Sequence, residues 1–237
     1  MTKPAGLSRK TWPFILAGSV GAFLVFLVVI GVASNGTPDT QPAAKAAAGS
    51  TAIGPTEPAP AMTPPAIAGG SLRQAHTVRT EPVDIVLTAG QCHVVTLDPA
   101  TGAYLPDPVC TPGAVDTAVT EATLASTICA SGYTASVRPP TSITGPAKSA
   151  SLVDYGMSAG PTVEYDHLVP LELGGASTVS NLWPEPNKGT AKGVNNPKDS
   201  VENSLKRAVC DHRVPLSTAQ AAIASNWTTA ESVLGLG

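Results

Sequence analysis

Residues 15–33 form an uncharged apolar run of 19, whose unbroken apolar character and basic flank argue against a buried core helix. At about 1.5 Å per residue, a helix of that length matches a hydrocarbon core of about 30 Å. Lys3, Arg9 and Lys10 precede the run, whereas only Asp39 and Lys45 come after it before residue 50. That asymmetry predicts a single-pass cell-membrane anchor with residues 1–14 in the cytoplasm and the rest outside. Trp12 falls where an interfacial aromatic would sit. The competing reading is a signal peptide cleaved near Val32-Ala33-Ser34, which would leave the protein secreted. Both readings export the remainder of the chain.

Residues 34–70 are dominated by Ala, Pro, Gly, Thr and Ser without an apolar period. Such a segment buries too little to offset its chain entropy, and its prolines keep it extended, so it reads as a disordered linker. The folding problem is thereby confined to residues 71–237. Cys92, Cys110, Cys129 and Cys210 all lie there, without a Cys-x-x-Cys pair. The wide spacing argues against a zinc knuckle, and in an exported chain four such cysteines imply two disulfides. Three pairings are available; Cys92–Cys110 with Cys129–Cys210 is preferred, since the second would tie the start of the domain to its last helices.

The whole chain carries a net charge of −3. That argues against a protein that holds nucleic acid by bulk electrostatics. It leaves room for an enzyme that needs only local positive charge. Residues 131–215 hold eight Lys/Arg and eight Asp/Glu, so any substrate path depends on arrangement.

Alternation and turn chemistry predict short strands at 83–87 and 93–97, with a turn at 98–102, giving a small β-rich appendage over 71–109. A helix is expected over 118–129, extended chain over 133–140 before two prolines, and a short helix over 146–156. His76 and His93 read as surface or structural residues, and His212 as an exposed helix end. Val163, Tyr165 and His167 alternate with Glu164, Asp166 and Leu168, which suits a strand. Gly174-Gly175 marks a turn, residues 179–183 a second strand stopped at Pro184, and Trp183 a core plug. Pro197 suits a first helical turn, and Val201, Leu205 and Val209 give residues 198–210 a buried face. Ser217 and Gln220 have the spacing of a capping box, beginning a last helix from which Trp227 packs back.

Strand, turn, strand, helix, with Asp166-His167 ending the first strand and Asn181-Leu182 fourteen residues on, resembles the HNH (ββα-metal) nuclease family. The stretch from Cys110 to Trp227 is similar to small exported bacterial HNH-like proteins. The likeness is carried by Cys110-Thr-Pro-Gly113, Gly132-Tyr133-Thr134, Tyr165-Asp166-His167-Leu168, Leu171 to Gly175, Asn181 to Pro184, and Lys198-Asp199 with Glu202. The resemblance implies an α+β fold with an HNH-like domain over 110–237. It also implies a hydrolase that cleaves phosphodiester bonds in DNA, or less readily RNA. His167 would be the general base, Asn181 its brace, and Asp166 the ligand of a divalent metal, Mg²⁺ or alternatively Mn²⁺. The family's His or Asn on the helix would fall on Thr190, in a loop here. Asp199 or Glu202 replaces it as second ligand, with Asn203 as a further candidate. Arg138, Lys192 and Lys198 are candidate phosphate contacts. The alternative is a catalytically inactive cell-envelope binding module on the same scaffold.

Overall fold

The computed structural model describes residues 71–191 and 196–237. The expected anchor, the linker and Lys192 lie outside the described residues, among which no helix is long and apolar enough to cross a membrane. The described chain is α+β, with six short strands in three two-stranded sheets and five helices.

Strand β1 (Arg73–Ala75) comes first, then the hairpin of β2 (Val95–Asp98) and β3 (Ala103–Leu105). The hairpin turns where Asp98 takes up the Ala100 amide and the Thr101 hydroxyl. Strand β4 (Ala114–Asp116) returns to pair in parallel with β1. Residues 71–109 therefore do not stand apart as an appendage. Cys92 is bonded to Cys110, the Thr77 hydroxyl accepts from the Ser177 amide, and Asp84 accepts from the Ser180 amide. The strand expected at 83–87 does not form. Asp84 turns its carboxylate onto Arg73 and Ser180, and Val83 and Val86 stay exposed.

The helix expected over 118–129 shrinks to a 3-10 turn at Glu121–Ser126. The Thr123 hydroxyl takes the Thr120 amide and donates to the Ala118 carbonyl, satisfying backbone groups that a helix would otherwise use. Helix α1 (Tyr133–Val137) replaces the expected extended segment. The pre-proline restriction acts on one residue, and only Arg138 (φ −58°, ψ 128°) is extended before Pro139. Helix α2 (Thr141–Asp154) begins a turn earlier than expected and keeps Pro146 within its second turn.

Strand β5 (Val163–His167) pairs antiparallel with β6 (Leu182–Pro186) in the register Glu164↔Glu185, Asp166↔Trp183, His167↔Leu182. The second strand thus starts at Leu182, after a 3-10 turn at Val179–Asn181, and runs through both prolines. Pro184 and Pro186 are tolerated because β6 pairs on one side only, leaving no ladder bond for a missing N–H to break.

Helix α3 (Pro197–Cys210) comes next, with Pro197 at its first position as expected. Asn196 caps it. The Asn196 side-chain oxygen accepts from the amides of Lys198 (2.8 Å) and Asp199 (3.2 Å), while the Asp199 carboxylate accepts from the Asn196 amide. Helices α4 (Leu216–Asn226) and α5 (Ala230–Val233) close the chain. The capping box expected at Ser217 is absent, since α4 starts directly after Pro215. Gln220 instead donates to the Leu173 carbonyl at 2.8 Å.

The main core gathers Val201, Leu205 and Val209 of α3, Leu216, Ala219 and Ile223 of α4, and Leu173 and Trp227. A smaller cluster holds Cys92, Cys110, Tyr155 and the fully buried Trp183, which is a plug as expected. Disulfides join Cys92 to Cys110 and Cys129 to Cys210.

Candidate functional site

The period of a strand places neighbouring residues on opposite faces. On β5, Glu164 and Asp166 face α3, where Glu164 accepts from the Asn196 side-chain amide and Asp166 from Lys198. Tyr165 and His167 face the other way, toward Glu81 and Ser177. The pair Asp166-His167 is therefore split across the hairpin. Both side chains nonetheless line one cavity of about 540 Å³, shared with Arg138, Glu164, Asp199 and Glu202. His167 also borders a second cavity of about 380 Å³, walled by Arg138, Thr141, Lys148 and Tyr165.

The loop between the strands is held from inside by Asn181. Its side-chain oxygen accepts from the Val169 amide at 3.0 Å, and its amide nitrogen donates to the carbonyls of Val169 and Ala176, both at 2.9 Å. Both amide hydrogens and the side-chain oxygen are bonded to the loop backbone, and the side chain is fully buried. The bracing role is thus exercised on the loop after His167. The ring of His167 is positioned by Ser177, whose hydroxyl lies 2.9 Å from Nε2. The same turn requires glycine twice. Gly174 has φ +73°, and a Cβ on Gly175 would lie 1.7 Å from the Val169 carbonyl oxygen.

Burial pulls the His167 imidazole down to about 4, against the attraction of Asp166 and with help from Arg138 and Lys198. The ring is accordingly neutral at pH 7. Burial raises the Asp166 carboxyl, but the Lys198 ammonium and His167 outweigh it and hold the group below the usual range. Glu164 is pushed up to about 7, chiefly by burial.

Lys198 departs most from expectation. It is fully buried, and its ammonium donates to Asp166 Oδ2 (2.5 Å), the His167 carbonyl (2.6 Å) and Glu202 Oε1 (2.5 Å). An ammonium has three donors, and all are spent. It cannot be the expected phosphate contact. Arg138 is exposed and borders both cavities, while Lys192 lies outside the described residues. Of the expected ligands, Glu202 meets Asp166 only through Lys198. Asp199 shares the cavity wall with Asp166 but commits one oxygen to the helix cap. Asn203 is exposed and donates to the Asp199 carbonyl. Among the described residues no group of three or more His, Cys, Asp or Glu side chains is arranged to hold a metal.

Sequence reasoning missed Ser177, Glu164, Asn196 and Glu185. Glu185 is buried beside Lys198, 4.0 Å from its nitrogen, and its carboxyl is hydrogen-bonded to Asp166. Burial drives that carboxyl well up, with Asp166 and Glu164 adding to the rise against the Lys198 ammonium. Glu164 and Asp166 alternate on one strand, and Asn196-Pro197 with Asp199 is a legible capping pattern. Glu185 and Ser177 carry no local signal, because the register and the loop path bring them in.

Compared with protein-family models, with curated proteins and with solved structures, the chain matches none.

Proposed function

We propose that this domain is an HNH-type phosphodiester hydrolase acting on DNA outside the cytoplasmic membrane. The observation that carries the reading is the end of β5. A neutral, buried histidine and an ionised aspartate, adjacent in sequence, open on one cavity beneath a loop that Asn181 fixes by three backbone bonds. A neutral imidazole can take the proton from an attacking water. In the tautomer whose Nε2–H donates to Ser177, Nδ1 keeps the lone pair for that transfer. The imidazolium that results is stabilised by the Asp166 charge next to it. Arg138 supplies the positive charge at the junction of the two cavities, where a phosphate would meet His167.

Five carboxyl groups line the larger cavity, namely Glu164, Asp166, Glu172, Asp199 and Glu202. Asp166 and Glu202 share the Lys198 ammonium and Glu164 is pushed up to about 7, so the wall is partly neutralised, and a phosphodiester approaching the rest meets like charge that a cation would screen. Mg²⁺ or Mn²⁺ fits this donor set, since a hard ion needs only one or two carboxylates and keeps its remaining waters. Asp166 and Asp199 would hold it, Asp199 with the oxygen left outside the helix cap. Bound there, it would neutralise charge at the leaving oxygen. The two disulfides suit an exported protein.

The test is the full-length chain with supercoiled plasmid and Mg²⁺ or Mn²⁺. Cleavage is expected, with at least a hundredfold loss in His167→Ala. A metal-supplemented protein that leaves DNA and RNA intact, or a variant that cuts equally, would reject the hydrolase. The acidic cavity wall would then favour the second reading, a binding module of the cell envelope that uses the same scaffold without catalysis.

A further inference from the structure

We infer that the Lys198 ammonium is the resident cation of the carboxylate cluster, filling the place where a divalent ion bridging Asp166 and Glu202 would have to sit, so that Glu202 is not a metal ligand. The inference deepens the hydrolase reading in the choice of ligands, though its geometry stands independently.

The centre of the cluster is defined by oxygens from three elements. Asp166 and the His167 carbonyl come from β5, Glu202 from α3, and Glu185 from β6. Three of these oxygens lie 2.5–2.6 Å from Lys198 Nζ, and Glu185 Oε2 lies at 4.0 Å. An all-oxygen set of carboxylates with one carbonyl is the donor type that hard divalent cations select. Glu185 closes the cluster from β6. It is 1% exposed, and its carboxyl is hydrogen-bonded to Asp166.

An ammonium and a metal cannot share this centre. A divalent ion bridging Asp166 Oδ2 and Glu202 Oε1 at about 2.1 Å from each would overlap the volume of the nitrogen. The lysine is also fixed at its root. It occupies the first turn of α3, behind the Asn196 cap and one turn before Glu202. A fully buried ammonium persists only where its contacts offset the desolvation cost, so this one has nowhere better to go. Any divalent ion is therefore confined to the cavity side of Asp166, with Asp199.

Removing the ammonium should convert the centre into a metal site. Lys198→Ala vacates a cage of four potential oxygen ligands. Titration calorimetry of the full-length chain with MnCl₂ is expected to show a site that the parent lacks. It should be at least tenfold tighter than any Mn²⁺ binding by the parent, and lost again in Lys198→Ala/Glu202→Gln. Mn²⁺ should also raise the melting temperature of Lys198→Ala by several degrees more than that of the parent. A folded Lys198→Ala that gains no Mn²⁺ site overturns the inference. If Lys198→Ala does not fold, Glu202→Gln alone decides. Mn²⁺ binding unchanged from the parent supports the resident ammonium, whereas a tenfold loss overturns it. Failure of DNA cleavage would reject the hydrolase while leaving these binding results intact.

Discussion

At the scale of single residues, Asn181 does the most with the fewest atoms. Asn181→Ala strands two carbonyls and one amide in a dry interior, and the expected loss is about 3 kcal/mol, read as a lower urea midpoint. Glu164 gives a pH signature. Its folded value of about 7 lies above its ordinary 4.5, so the native state binds the proton more tightly than the unfolded chain. Its contribution is present below about pH 4.5 and is lost as the pH rises through 7. His167 acts oppositely. With a folded value of about 4, its contribution is present above pH 6.5 and lost as the pH falls toward 4. The difference between parent and Glu164→Gln isolates the first effect. From pH 5 to 8 the variant should lose less stability in urea titrations than the parent, and parallel curves would refute the assignment. Glu185→Gln should be neutral or stabilising at pH 8, since it replaces a buried carboxyl, whose charged form burial disfavours, by a neutral amide that can still donate to Asp166. A fall of more than 1 °C in melting temperature would contradict that.

At the scale of elements, the β5–β6 hairpin and α3 were legible because each carries its own pattern. Alternation marked β5, and Val201, Leu205 and Val209 at intervals of four marked α3. Other elements were set by contacts that local pattern does not encode. Pro184 reads as a strand stop until β6 proves to pair on one side only. Thr123 and Asp84 redirect their neighbours through side-chain bonds, which turned an expected helix into a 3-10 turn and dissolved an expected strand. The site divides the same way. Asp166, His167 and Asn181 could be found through their resemblance to the HNH motif. Lys198 looked like a surface cation because lysine usually is one, and only the pairing of β5 against α3 shows three acceptors converging on it. The turn between the strands is an element with no slack. Gly175→Ala forces the Val169 carbonyl to move, and is expected to unfold the loop and lower the melting temperature by several degrees, measured by calorimetry.

At the scale of the whole described domain, small cores and three minimal sheets leave much to covalent ties. The Cys129–Cys210 bridge closes a separation of 81 residues, and Cys92–Cys110 one of 18. Loop-closure entropy assigns about 4.5 kcal/mol to the first and about 3 kcal/mol to the second. Replacing Cys129 and Cys210 by Ala should therefore lower the urea midpoint more than replacing Cys92 and Cys110, and the reverse order would contradict an entropic origin. Helix α3 takes part at both ends. Its cap residue Asn196 is bonded to Glu164 of β5, and its last residue Cys210 is bonded to Cys129. In mechanical terms it is a beam clamped at both supports. With its first turn held against β5 and its far end tied to Cys129, the gap between Asp166 and Asp199 is adjusted most readily by rotation of the two side chains.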